Sequence, residues 1–181
     1  MTIDPGRGWR TERLALEPLT RAHAGELFAG LDDPALHEFI GGEPLSLEAL
    51  TERYAQLESR ASGDGSEVWG NWVLRELRSG EACGFVQATL PAAGPGAGPA
   101  SIAWVVVRRA QGRGYASEAA RSLVARLLDD GWTVVADVHP EHAASKGVAR
   151  SAGLLPTGQI VDGEQRWGIS RDGGSGGATQ T

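Results

Sequence analysis

The stretch Val105-Val106-Val107-Arg108-Arg109-Ala110-Gln111-Gly112-Arg113-Gly114-Tyr115-Ala116-Ser117-Glu118 constrains the fold more than any other part of the chain. Three β-branched residues read as a strand, two glycines punctuate a turn, and the apolar residues that follow recur at helical spacing. Ala116, Ala119, Ala120, Leu123, Val124, Leu127 and Leu128 fall at three- and four-residue steps until Asp129-Asp130-Gly131 stops them. A strand therefore feeds a helix through a loop of exposed backbone N–H groups. Such a helix start carries unpaired donors and about half a positive charge, and glycines let a phosphate approach the backbone closely. Arg108, Arg109 and Arg113 add cations suited to phosphate oxygens.

What precedes this stretch reads as antiparallel structure. After a loose lead-in over residues 1–10, Leu14, Leu16 and Leu19 alternate with Ala15 and Glu17 as a half-buried strand does. Thr20 is placed to cap a helix over 21–31 that Asp32-Asp33-Pro34 ends, and a short helical turn runs through Leu36 and Phe39. Ser46 caps a helix from Leu47 to about Ala61. Two strands, Val68 to Leu77 and Cys83 to Leu90, form a hairpin around Arg78-Ser79-Gly80-Glu81. The proline and glycine tract 91–100 can hold no core and reads as a flexible loop before a central strand, Ile102 to Val107.

Beyond the long helix, Thr133 to Val138 is a buried strand and Ala143 to Ala152 a short helix closed by Gly153. Thr157 to Val161 and Gln165 to Ile169 make a last hairpin across Asp162-Gly163-Glu164. The length of 181 residues fits one domain, over 1–172, and the composition of 173–181 reads as a disordered tail.

Composition excludes several function classes. The net charge of −6 argues against bulk binding of nucleic acid, so the arginines of the glycine turn stand out as placed charge. No run of 18 apolar residues and no apolar leader is present, which leads to the expectation of a soluble, cytoplasmic protein. The single cysteine, Cys83, reads as a small buried hydrophobe.

Residues Ser101 to Trp167 resemble the GNAT superfamily of acyl-CoA-dependent N-acetyltransferases. Gln111, Gly114 and Ala116 match the pyrophosphate motif of that family, extended by Tyr115-Ala116-Ser117-Glu118-Ala119. His139-Pro140-Glu141-His142-Ala143-Ala144-Ser145, followed by Ala152-Gly153-Leu154, is similar to its second CoA-contacting helix. Arg13-Leu14-Ala15-Leu16-Glu17-Pro18-Leu19 and Asp33-Pro34 resemble the branch that acetylates the N-termini of ribosomal proteins, the RimJ/RimL-like enzymes.

The resemblance implies an α+β fold: a mixed, mostly antiparallel sheet of about seven strands, splayed in its middle, with helices on both faces. It implies acetyl-CoA as cosubstrate, no metal, an amine acceptor as the other partner, and a monomer or homodimer. Val105, Val106 and Val107 would pair with the pantetheine arm, and the backbone of Gln111, Gly112, Arg113, Gly114, Tyr115, Ala116 and Ser117 would hold the pyrophosphate, with Arg113 pairing a phosphate.

Two departures bear on the chemistry. His142 stands where the family often has an asparagine contacting the pantetheine, and Ala152-Gly153-Leu154-Leu155 lacks the tyrosine that many members use to protonate the departing thiolate. Ser145 is the substitute acid that the resemblance implies.

The base is open among Glu164, Asp137, His139 and water. A lysine amine costs about 4 kcal/mol to deprotonate at pH 7.5, whereas an α-amine costs well under about 1 kcal/mol, so an α-amine needs little help. Trp69, Trp72 and Trp104 are candidates for the walls of an acceptor pocket or for core. The acceptor loops fall near Ile40 to Pro44 and Pro91 to Pro99, and carry no readable code for a substrate.

Two rivals exist. Gly112-Arg113-Gly114 with Asp137 some 25 residues on imitates a dinucleotide fingerprint, but antiparallel strands precede it and about 45 residues cannot complete that fold. A catalytically silent GNAT domain, binding acyl-CoA as a sensor or scaffold, is the alternative from another class.

Overall fold

The computed structural model describes residues 3–40 and 42–170. Eight strands, β1 (Trp9–Arg10), β2 (Leu14–Pro18), β3 (Glu67–Glu76), β4 (Ala82–Pro91), β5 (Ala100–Val106), β6 (Val134–Val138), β7 (Leu155–Val161) and β8 (Glu164–Ile169), join in one sheet. Their order is β1-β2-β3-β4-β5-β6-β8-β7. Five α-helices accompany them among the described residues: α1 (His23–Leu31), α2 (Pro34–Ile40), α3 (Leu47–Leu57), α4 (Tyr115–Asp129) and α5 (Ala143–Ser151). The strand-rich chain thus closes as the mixed α+β fold expected of it, without the alternating parallel strands of a dinucleotide-binding sheet.

Every neighbouring pair is antiparallel except β5 and β6, which run parallel and pair only at Ala100↔Val134 and Ser101↔Val135. Past those two rungs β5 continues to Val106 and β6 to Val138 without pairing, and a wedge opens between them. That wedge places the site.

Strand alternation sorts the side chains by face. Trp72, Val86 and Trp104 lie in register across β3, β4 and β5, as do Gly70, Ala88 and Ile102. Helix α4 covers this face with its buried stripe of Ala119, Ala120, Leu123, Val124 and Leu127. Trp9 Nε1 donates to Ser122 Oγ of α4 at 2.6 Å, and its ring meets Trp72 edge-on at 5.0 Å. On the opposite face Arg75 of β3 binds Glu17 of β2 at 2.9 Å and Glu26 of α1 at 2.8 Å, and α1 packs on α3. Helices cover both faces.

Several local expectations change. The lead-in is not wholly loose: Trp9 and Arg10 pair with Leu16 and Ala15, adding an eighth strand that the Trp9–Trp72 contact anchors. Thr20 does not cap α1. Its N–H and Oγ1 both lie 3.0 Å from His23 Nδ1, and the helix begins two residues later than expected, at His23, after Ala22. Ser46 does cap α3, accepting from the Ala49 N–H at 3.2 Å. Helix α3 ends at Leu57 rather than near Ala61, because Arg60 takes φ +58° and its carbonyl accepts from Trp69 N–H.

Helix α5 ends as expected at Gly153, φ +88°, with Leu154 N–H returned to the Ala149 carbonyl and Gly153 N–H to that of Arg150. No helix among the described residues is long and apolar enough to cross a membrane. The expected tail, 173–181, lies outside the described residues.

Candidate active site

The glycine turn is built as a donor array. A 3₁₀ turn over Arg108–Ala110 takes the chain off β5, and Gly112 and Gly114 adopt φ +74° and +79°, a region that a Cβ disfavours. Gly114 is the N-cap of α4 and offers no side-chain cap. The first i→i−4 bond of the helix is Glu118 N–H to the Gly114 carbonyl, which leaves the N–H groups of Tyr115, Ala116 and Ser117 as the open first turn. The Gln111 side chain donates back to the Val106 carbonyl at 3.0 Å, tying the turn to the diverging end of β5.

A clamp from the other end of the chain fixes this geometry. Glu118 Oε1 accepts from Thr11 Oγ1 at 2.6 Å and from Arg13 N–H at 2.8 Å, while Oε2 accepts from Arg13 Nε at 2.7 Å. Arg13 Nη1 donates onward to the Arg113 carbonyl at 2.8 Å, inside the turn. Burial raises the Glu118 carboxyl pKa, but the bonds from Thr11 and Arg13 outweigh it and leave the pKa lowered.

Two cavities meet in the wedge. One, of about 600 Å³, runs from the glycine turn past Val105 and Val106 to α5, lined by Gln111, Gly112, Gly114, Tyr115, Ala116 and Ser117 among others. The other, of about 480 Å³, lies on the far side of β5 against α1, α3 and the β8 start. Trp104, Val105, His142 and Ser145 line both, so α5 and the free edge of β5 form the junction. Both volumes fall in the range of small-molecule sites.

Most of the expected cofactor residues come together in the first cavity: Val105, Val106, Gln111, Gly112, Gly114, Tyr115, Ala116, Ser117 and His142. Two do not. Val107 is fully buried, and its N–H is already bonded to the Cys83 carbonyl at 3.0 Å, because the chain folds back onto β4 there. Arg113 is not part of the cavity lining, and the neighbouring Tyr115 hydroxyl donates to Glu76 at 2.5 Å. The other arginines also turn aside: Arg109 donates to the Ala82 carbonyl at 2.8 Å and Arg108 lies 3.8 Å from Asp33. The open donors of this turn are the backbone N–H groups of Tyr115, Ala116 and Ser117.

Glu164, Asp137 and His139 all line the second cavity. Asp137 is held by a two-point bond from Arg166, 2.9 Å to Oδ1 and 2.8 Å to Oδ2, which suits a structural ion pair. His139 Nδ1 accepts from Glu141 N–H at 3.2 Å. Burial, and then the neighbouring His139, push the His142 imidazole below its ordinary 6.5, against a smaller upward pull from Glu38. Of the three tryptophans, Trp104 lines both cavities, Trp72 is fully buried core, and Trp69 turns its indole N–H to Glu67. Burial pushes the Cys83 thiol up to about 11, which keeps it protonated.

Sequence reasoning missed the α3 and β4 walls of the second cavity: Arg53, Tyr54, Phe85 and Gln87. Phe85 and Gln87 alternate with buried Val86 and Ala88, a period that assigns them to the other face. Of the expected acceptor loops, Gly42 and Glu43 reach the cavity, Gly41 lies outside the described residues, and no residue of Pro91–Pro99 is among its walls.

A mixed sheet opened at one parallel pair, with a phosphate-suited turn at one end of the opening and a second cavity at the other, is the frame of a group transferase. The profile of the acetyltransferase (GNAT) domain matches residues 13–155. The chain belongs to the GNAT acetyltransferase family.

Solved structures share the fold. A GNAT-family acetyltransferase from Bacillus anthracis is 16% identical with a TM-score of 0.72, over 91% of this chain and 98% of that one. A protein from Vibrio cholerae described as a ribosomal-protein-serine acetyltransferase is 19% identical with a TM-score of 0.69, over 94% and 99%. The microcin C7 self-immunity acetyltransferase MccE, in complex with acetyl-CoA and AMP, is 14% identical with a TM-score of 0.72, over 88% and 93%. No curated protein matches the sequence.

Proposed function

We propose that this chain binds acetyl-CoA along the 600 Å³ cavity and transfers the acetyl group to a primary amine held in the 480 Å³ cavity, by direct attack in a ternary complex. The observation that carries the reading is that the two cavities share Trp104, Val105, His142 and Ser145, so a donor and an acceptor entering from opposite sides meet on one strand edge and one helix face. The MccE relative holds acetyl-CoA in the same fold, which supports acetyl-CoA as donor.

The first-turn N–H groups of Tyr115, Ala116 and Ser117 would take the pyrophosphate, and the β5 edge at Val105 and Val106, which does not pair with β6, would take the pantetheine amides. Attack by the amine nitrogen on the thioester carbonyl forms the amide C–N bond and breaks the C–S bond, and the sulfur leaves with the electron pair. Ser145, half-buried and lining both cavities, would give that sulfur a proton. Cys83 takes no part as an acyl carrier.

The acceptor class that the chemistry favours is a low-pKa amine such as a protein α-amine, and the fold of the Vibrio cholerae relative is compatible with that choice. Purified protein should release free thiol from acetyl-CoA when given an N-terminal peptide or small amines. Tight acetyl-CoA binding with no thiol release across the panel would replace this reading with that of an acyl-CoA sensor.

A further inference from the structure

We propose that His142, the N-cap of α5, is the general base of the transfer, working with Ser145 in the first turn of that helix as a base and acid pair at the junction of the two cavities. This rests on the acetyltransferase reading above. Among the four residues that line both cavities, Trp104 and Val105 cannot exchange a proton at neutral pH and Ser145 is the candidate acid. His142 is the one side chain at the junction that titrates near neutrality. The three other candidate bases line the second cavity alone, and Asp137 is locked to Arg166.

The local backbone suits the role. His142 is the N-cap of α5, with φ −79° and ψ 77°, and makes no side-chain cap bond to the helix. Lys146 N–H bonds its carbonyl at 3.1 Å, which seats the residue at the first turn. His142 at the N-cap and Ser145 three residues on, in the first turn of α5, both line the junction of the two cavities.

The groups around the imidazole are His139 of the preceding turn, Glu38 of α2, and, across the shared cavity, His37, Glu43, Arg53, Asp137 and Glu164. Burial and His139 lower the His142 pKa more than Glu38 raises it. The imidazole is therefore neutral at pH 7 and can accept a proton.

The proton count closes. His142 takes one proton from the acceptor ammonium before attack and gives it to solvent afterwards. The second amine proton passes to Ser145 as the C–N bond forms, while Ser145 delivers its own proton to the departing sulfur, so the hydroxyl is restored. Whatever base takes the proton, an α-ammonium near 7.7–8 gives it up at least about a hundredfold more readily than a lysine ammonium near 10.4. The transfer therefore favours low-pKa amines.

His142→Asn is the informative variant, because asparagine is a favourable N-cap and keeps hydrogen bonding while removing the titration. Its kcat/KM for a serine-led tetrapeptide should fall by about 10²–10³-fold, lose the additional break that the wild type shows below pH 6.5 while keeping the acceptor amine's own limb near 7.7–8, and leave acetyl-CoA affinity within about twofold. Independently of turnover, the imidazole NMR signal that disappears in the variant should titrate below 6.5 in the acetyl-CoA complex.

Retention of the break below pH 6.5 in the variant, a loss confined to acetyl-CoA affinity, or titration above 6.5 would each overturn the assignment while leaving acetyl transfer intact. Failure of the wild type to release thiol with the tetrapeptide and with every other amine tested would overturn the transferase reading and the base with it.

Discussion

Single side chains divide between chemistry and packing in ways that can be measured. Ser145 is the residue whose change should touch the reaction and little else: Ser145→Ala should lower turnover at least about tenfold with little change in acetyl-CoA affinity, checked by kcat against the acetyl-CoA dissociation constant. Unchanged turnover would remove the serine from the mechanism. Tyr54 is the opposite case. Its side chain is 2% exposed, it lines the second cavity, and its hydroxyl has no hydrogen-bond partner among the described residues. Burial also pushes its pKa well above the ordinary phenol value.

A buried hydroxyl without a partner costs about 1–3 kcal/mol, so Tyr54→Phe should hold or raise stability. A gain of about 1 kcal/mol corresponds to a Tm rise of about 2–4 °C for a chain of this size. Calorimetry checks it, and a fall in Tm would show that the hydroxyl is bonded in solution. Neither the cavity walls nor this hydroxyl was legible in the sequence. Leu50 and Tyr54 sit four apart on α3, which marks them as core, and nothing in helical spacing separates a core position from a cavity wall.

At the scale of elements, the strand, turn and long helix were legible because local rules decide them: β-branched residues, glycines at positive φ, and apolar periodicity. The placement of Arg108 and Arg109 was not, since their partners Asp33 and Ala82 come from other elements. The Arg13–Glu118 clamp is of the same kind, joining residues 105 positions apart. Glu118 has a side chain 12% exposed, and Arg13 is 45% exposed, so the clamp is partly screened. Glu118→Gln should cost about 1–2 kcal/mol at neutral pH and loosen the turn, raising the acetyl-CoA dissociation constant.

The pH dependence of that cost has a definite sign. The folded pKa of Glu118 lies below its unfolded value, so its contribution is complete above about pH 4.5 and drains away as pH falls through the folded pKa. Urea unfolding of wild type and variant should therefore differ by a constant amount from pH 6 to 8 and converge below about pH 4. A gap that persists at low pH would mean that packing, not the carboxylate, carries the clamp.

For the whole molecule, the splay is the property on which binding depends. Eight strands could form a closed ladder, but β5 and β6 pair at two rungs only, and the apolar alternation that made both strands readable does not reveal where they part. The free β5 edge, the open first turn of α4 and the start of α5 lie along one cavity, so a ligand filling it bridges three elements. Acetyl-CoA should then stabilise the fold as a unit. At a hundredfold over its dissociation constant the gain is about 2.7 kcal/mol, or a Tm rise of about 5–10 °C.

Hydrogen exchange should slow at the β5 end and at Tyr115–Ser117, where N–H groups gain acceptors, and stay unchanged on β2 and β3 across the sheet. A Tm rise with protection spread evenly would indicate general rather than wedge-centred binding. No rise at all would remove the donor site from the wedge.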